Sequence, residues 1–174
     1  DPHLETAGHR IISKGGDVRG EILRLDPTGM VVRVVTPAGT QELTTRLVGR
    51  HQASNLLAAI AAALSLGLDL DTACRALARV RRLPGRMERL PLRVPYSVYV
   101  DYAHNEAALR ETLSALRPLA SGRLIAVFGC GGDRYRGKRA RMARVAECCA
   151  DEVIVTQDNP RTENPASLLS ENTD

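Results

Sequence analysis

Two stretches of this sequence place glycines, forked cations and turn-formers close enough together to hold a small ligand. The first is Gly129-Cys130-Gly131-Gly132-Asp133-Arg134-Tyr135-Arg136-Gly137-Lys138-Arg139. Its glycines let backbone approach a ligand closely, and a helix opening near Lys138 would point N–H groups at an anion. Two phosphate-binding patterns almost fit. The dinucleotide fingerprint needs a third glycine where Arg134 stands. The P-loop spacing runs from Gly132 to Gly137-Lys138, but Arg139 replaces the Ser or Thr that would hold magnesium. A tight strand-to-helix turn accounts for the glycines about as well. On the functional reading, Arg134 meets a substrate carboxylate.

The second stretch is Gln157-Asp158-Asn159-Pro160-Arg161-Thr162-Glu163-Asn164-Pro165. Asp158 can bind an ammonium group, and Arg161 can fork onto a carboxylate. Asn159 adds a donor and an acceptor, and Pro160 stiffens the turn. Both signs of charge in one loop suit a zwitterion such as an amino acid, although a turn followed by a helix cap is the plainer reading. Two further candidates stand earlier in the chain. In Asp101-Tyr102-Ala103-His104-Asn105, Asp101 could accept from ribose hydroxyls. His104 could carry a proton, or simply pack and hydrogen-bond. Arg86, after Pro84-Gly85, could neutralise a phosphate or be ordinary surface charge.

These residues need elements to position them. Residues 18–25, 30–36 and 41–48 read as strands, separated by the turn signals Asp26-Pro27-Thr28-Gly29 and Pro37-Ala38-Gly39-Thr40. They make an antiparallel meander. Residues 53–66 are rich in Ala and Leu and apolar nearly all round, which predicts a buried helix ended by Gly67. Asp71 is then expected to cap a second helix over 72–80. The break at Arg82-Leu83-Pro84-Gly85-Arg86 is taken as a domain boundary. Beyond Arg89 the rhythm alternates: strand 97–101, helix 106–116, buried strand 123–128, helix 138–149, strand 152–156, and a helix opening at Asn164-Pro165. Such alternation implies a parallel sheet with right-handed crossovers, with ligands beyond the carboxyl ends of its strands. The loops 101–105, 129–137 and 157–163 all lie there. The fold class is therefore α/β.

Composition narrows the partners. Of 174 residues, 24 are Lys or Arg and 20 Asp or Glu, a net charge of +4. The densest basic run is 134–144, yet one Phe and no Trp leave little to stack on bases, so a small anionic ligand is preferred to nucleic acid. A solvated helix face explains the same run. Cys74, Cys130, Cys148 and Cys149 lack zinc-ribbon spacing and read as reduced, mostly buried thiols of a cytoplasmic protein. No set of metal ligands stands out, and no apolar run is long enough for a membrane span. The opening Asp-Pro-His and closing Glu-Asn-Thr-Asp suggest a fragment.

In this order the motifs resemble one family, the Mur-type ligases. Gly49-Arg50-His51-Gln52-Ala53-Ser54-Asn55 before an Ala-rich helix resembles their entry helix. Leu83-Pro84-Gly85-Arg86-Met87-Glu88 resembles their interdomain segment, and Asp101-Tyr102-Ala103-His104 a third signature. The glycine loop with Gly137-Lys138-Arg139, followed by Asp158-Asn159-Pro160-Arg161, is similar to the branch that adds meso-diaminopimelate to UDP-N-acetylmuramoyl-L-alanyl-D-glutamate. Gln52 and Asn105 depart from that branch. The resemblance implies that residues 1–83 are the tail of a central ATPase domain and 84–174 most of a Rossmann-like C-terminal domain. It implies ATP contacts from Asn55, Arg86, Asp101 and His104, and diaminopimelate contacts from Arg134, Asp158, Asn159, Pro160 and Arg161. It implies ATP and magnesium as cofactors, held mainly by a phosphate loop upstream of residue 1, and a further amino-acid-binding loop beyond residue 174. No catalytic residue is expected within these 174 residues, which alone should not turn over ATP. The partners implied are the UDP-muramoyl dipeptide and meso-diaminopimelate, with no nucleic acid and no membrane insertion. The alternatives are a folylpolyglutamate or cyanophycin type of ligase, or a non-catalytic nucleotide or amino-acid binding module.

Overall fold

The computed structural model of the chain describes residues 9–12, 17–164 and 166–167, and the chain divides into two compact units, the first ending at Asp101 and the second beginning at Tyr102. In the first unit, β1 (His9–Ile12), β2 (Arg19–Asp26), β3 (Gly29–Thr36) and β4 (Gly39–Thr45) make an antiparallel meander in sequence order. Alternation in β3 is strict. Met30, Val32 and Val34 are wholly buried, while Arg33 between them pairs with Glu21 and Glu42. Period-two patterning of this kind commits one face of a sheet to a core. The first turn needs its glycine: a Cβ on Gly29 would lie 2.0 Å from the Thr45 carbonyl oxygen. Strand β1 was not foreseen in the sequence.

The buried face of the sheet packs under α1 (Arg50–Ser65) and α2 (Leu70–Ala78), joining Val32, Val34 and Leu43 to Leu56, Leu57, Ile60 and Cys74 in one core. Two expectations change here. Helix α1 is buried on one face only, through Gln52, Ala53, Leu56, Leu57 and Ile60, because alanine tolerates water on the other face at little cost. The cap of α2 is Asp69, whose side chain accepts from the Thr72 N–H at 2.8 Å. Asp71 lies within the first turn, two residues after the cap, and pairs with Arg75. At the close of α1, Gly67 sits at φ 86, a conformation that favours glycine.

Residues 97–101 form no long strand. Only Tyr99–Val100 (β6) joins a ladder, and it runs antiparallel to β5 (Glu88–Arg89) within the first unit. Pro91 and Pro95 bring no N–H to extend that ladder.

The second unit carries α3 (Glu106–Leu116), a 3-10 turn (Arg117–Leu119), β7 (Ile125–Phe128), α4 (Lys138–Cys149) and β8 (Glu152–Val155). Strands β7 and β8 are parallel, Ile125 facing Glu152 and Phe128 facing Val155. Leu109, Leu113, Ala126, Met142, Val145 and Ala146 form its core. Strand β7 is not buried throughout, since Val127 is 62% exposed on the face opposite Ala126. Ala166 and Ser167 are helical, and the Asn164 side chain accepts from the Ala166 N–H. The predicted helix start at Pro165, and both chain ends, lie outside the described residues.

Candidate functional site

Because β7 and β8 run parallel, their carboxyl ends deliver loops 129–137 and 157–163 to the same edge. The two loops touch through backbone. The Gly132 N–H donates to the Asn159 carbonyl at 2.9 Å. A Cβ on Gly132 would stand 1.9 Å from the Pro160 carbonyl oxygen, and one on Gly129 would stand 2.4 Å from that of Thr156. The glycines foreseen as a ligand cradle are thus required, in these two cases, by the neighbouring loop.

Each loop holds one non-glycine residue in the left-handed region, Asp133 at φ 52 and Arg161 at φ 51. Around Arg161 the Asn159 side chain accepts from the Arg161 N–H at 3.1 Å, and the Pro160 carbonyl accepts from Glu163 N–H. The Arg161 guanidinium donates through Nη1 to the Gly132 carbonyl. Arg134 and Asp158 are exposed, with no ion pair among the described residues. Asp158 Oδ2 and Arg161 Nη1 lie 3.4 and 3.7 Å from where a Gly131 Cβ would be, so opposite charges flank one bare stretch of backbone. Arg134, Asp158, Asn159, Pro160 and Arg161 are therefore brought onto one pair of loops. A carboxylate and an ammonium group on one small molecule could be met there together.

Beneath them lies a charge pair that the sequence reading passed over. Arg139 is 1% exposed on α4, and its Nη2 donates to both oxygens of Glu163 at 2.9 and 3.0 Å. Arg139 had been noted only for spoiling a P-loop pattern, and no local signal in the sequence separates it from the five other cations of the run 134–144. The P-loop reading weakens further with Lys138, whose ammonium donates to the His104 carbonyl. Glu163 accepts from the Asp133 N–H at 2.6 Å as well, and Asp133 in turn accepts from the Thr162 hydroxyl and N–H. These bonds hold both carboxyls below the ordinary carboxylate range, Glu163 chiefly through Arg139 and Asp133 chiefly through the Thr162 hydroxyl. Burial pushes the Cys130 thiol up, so it packs beside Met142 as an inert group rather than a nucleophile.

The first unit gathers three other candidates. Asp101 Oδ2 accepts from the Met87 N–H at 2.8 Å, which secures the turn that presents Arg86. Met87 is buried at φ 50, a strained position for a side chain with a Cβ. From α1, Gln52 donates to the Arg86 carbonyl at 3.3 Å and accepts from the Asn55 amide. Gln52 is 1% exposed, and its departure from the family pattern has a structural use: one buried amide joins Asn55 to the Arg86 turn. A cavity of about 30 Å³ beside that turn is lined by Arg46, Arg81, Arg82, Arg86 and Arg89, with Glu88 paired to Arg82. Five cations at one hollow favour an anionic ligand, and only Arg86 had been singled out. His104 belongs to the second unit, where it is exposed, stacks edge-on to Tyr102, and hydrogen-bonds through Nδ1 to the Tyr102 carbonyl. Asn105 caps α3 by accepting from the Ala108 N–H, work a threonine could also do.

Residues 85–173 match the family described as Mur ligase, glutamate ligase domain. A UDP-N-acetylmuramoyl-L-alanyl-D-glutamate--2,6-diaminopimelate ligase from Gloeobacter violaceus is 46% identical over 158 residues, which cover 90% of this chain and 32% of that protein. A solved structure of a ligase of the same name superposes with a TM-score of 0.60 at 34% identity, covering 92% of this chain and 33% of the other. Folylpolyglutamate synthase from Mycobacterium tuberculosis, solved with ADP and AMPPCP, superposes with a TM-score of 0.67 at 28% identity, covering 87% and 35%. The chain spans about a third of the length of each of these proteins.

Proposed function

We propose, because this chain belongs to the Mur ligase family, that it serves as the C-terminal third of an ATP-dependent ligase. That enzyme joins meso-diaminopimelate to the D-glutamate carboxyl of a UDP-N-acetylmuramoyl dipeptide in peptidoglycan synthesis. The observation that carries this reading is the pair of loops at one edge of the parallel ladder, with Arg134, Asp158 and Arg161 presenting both signs of charge. The similarity to diaminopimelate ligases over nine-tenths of the chain supports it.

In this scheme the substrate carboxyl takes a phosphoryl group from ATP, and the incoming amine displaces phosphate through a tetrahedral intermediate. The residues of this chain bind and orient. Asp158 takes an ammonium group of the amino acid, and Arg161 and Arg134 take carboxylates, which brings the attacking nitrogen to a fixed place. Asn55, Asp101 and His104 contact the nucleoside, and Arg86 among its neighbouring arginines spreads developing phosphate charge. Residues 1–83 act as the tail of the ATPase domain and 84–174 as a Rossmann-like domain. On this reading magnesium and the phosphate loop are supplied mainly by the part of the enzyme upstream of these residues. The reaction runs in the cytoplasm, where ATP and the nucleotide-linked precursor are at hand.

The test uses the full-length protein that contains this chain. It should ligate meso-diaminopimelate with ATP, and prefer it to lysine, which lacks the distal carboxylate. Arg161→Ala should cost about 2–5 kcal/mol with diaminopimelate by stranding a desolvated carboxylate, and much less with lysine. Specificity constants for both amino acids decide it. Equal losses would mean that Arg161 supports the loop or the shared α-carboxylate rather than selecting the substrate. Absence of ATP-dependent ligation of either amino acid would favour the binding-module alternative.

A further inference from the structure

The loops 129–137 and 157–163 are closed on each other by a reciprocal pair of acids. Glu163 of the second loop accepts from the Asp133 N–H of the first at 2.6 Å, and Asp133 accepts from the Thr162 N–H at 3.2 Å and hydroxyl at 2.7 Å. Each carboxylate therefore satisfies backbone of the opposite loop. The arrangement has a fixed base, since Glu163 also receives the buried Arg139 and, at 3.4 Å, Arg136. Its side chain is 11% exposed, too enclosed to serve as a free ligand for substrate. The two left-handed residues, Asp133 and Arg161, stand inside this closure or next to it. Non-glycine residues hold that conformation only where their surroundings over-determine it.

We propose that Glu163 and Arg139 are positioning residues for the amino-acid subsite: with Asp133 and Thr162 they clamp the two loops at the spacing that Asp158, Arg161 and Arg134 need. This rests on the functional reading above for the identity of the substrate, but not for the clamp itself. The reason lies in where the binding groups come from. Arg134 is on one loop, and Asp158 and Arg161 are on the other. A substrate bridging both loops is held well only if the gap between them is constant, and the binding groups themselves supply little to fix it. Arg161 reaches across to the Gly132 carbonyl, but this single, half-buried guanidinium bond comes from a side chain that must also meet the substrate. The Arg139–Glu163 pair is shielded, with Nη2 reaching both carboxylate oxygens, and it continues directly into helix α4.

The test combines kinetics and amide exchange in the full-length protein. Glu163→Gln keeps the shape but removes the charge that Arg139 needs. It should lower kcat/KM for diaminopimelate about 100-fold, mostly through KM, and leave KM for ATP within about twofold. Thr162→Val, a change at an exposed position, should move the same parameter in the same direction, and Thr162→Ser, which keeps the hydroxyl, should restore it. Without substrate, the amides of Asp133 and Thr162 should exchange faster in Glu163→Gln while those of β3 do not change. A rise in all substrate KM values by one factor, or unchanged diaminopimelate kinetics in both variants, would overturn the positioning role. If the wild-type protein does not ligate diaminopimelate, the functional reading fails, and amide exchange alone decides the clamp: unchanged protection at Asp133 and Thr162 would refute it.

Discussion

In the first unit, the turn carrying Arg86 is held by groups borrowed from a well-packed neighbourhood. Gln52 comes from a helix whose next turns supply Leu56, Leu57 and Ile60 to the core, and Asp101 follows directly on a strand. In the second unit, the loops carrying Arg134 and Arg161 are held by each other, through Asp133, Thr162, Glu163 and the single buried Arg139. The first arrangement rests on an amide and a carboxylate whose supporting elements are fixed by apolar burial, a force that depends little on ionic strength. The second leans on charge and hydrogen bonds at the edge of a two-stranded ladder whose Val127 is still open to water. In both, a carboxylate expected from the sequence to meet a ligand, or overlooked, is engaged with backbone N–H. Preorganisation of the loop is thus part of what the acidic residues do.

The contrast can be broken most severely at Gly132. Gly132→Ala would drive a Cβ to within 1.9 Å of the Pro160 carbonyl oxygen, which backbone cannot accommodate without parting the loops. We expect diaminopimelate ligation to fall by more than about 100-fold, with the first unit's amide protection unchanged by hydrogen exchange. A smaller effect is expected on the other side of the comparison. Asp101→Ala leaves the Met87 N–H without its acceptor at a cost of about 1–3 kcal/mol. The ATP KM should rise about tenfold through the displaced Arg86 turn, while diaminopimelate KM holds steady. Similar rises in both would show that the two sites do not separate as described.

Acid gives the mildest and most graded test. The folded-state values of Asp133 and Glu163 lie below their ordinary 3.8 and 4.5, so the unfolded chain binds protons first. Their contribution to stability is whole above about pH 4.5 and is lost as pH falls through the depressed folded values. Amide exchange at Asp133 and Thr162 should therefore rise in acid before that of Val32 and Val34 in β3. Simultaneous loss of protection in both places would remove the distinction between a charge-held and a core-held site.

Local pattern carried a large share of this molecule. Helices α3 and α4 run over the residues their amphipathic spacing and flanking turns predict, and the meander follows from period-two burial and from turns such as Asp26–Gly29. The Asp158–Arg161 loop stood out because it sets both signs of charge around a stiffening proline, although a turn with a helix cap was the plainer reading of the same residues. What the chain's order could not reveal was decided across distance in sequence. Arg139 and Glu163 are 24 positions apart, and each is one of many similar charges until the parallel pairing of β7 and β8 brings their loops to one edge. Gln52 and Arg86 are 34 apart, and the amide's purpose appears only once α1 lies against the turn. Strand β6 pairs with β5, a choice that depends on which backbone donors and acceptors remain unpaired nearby. Propensity and periodicity are properties of neighbours along the chain, so they settle which segments are helix, strand or turn. Partner choice for a charge or an amide depends on which groups are desolvated together, and that is determined only when the elements have packed.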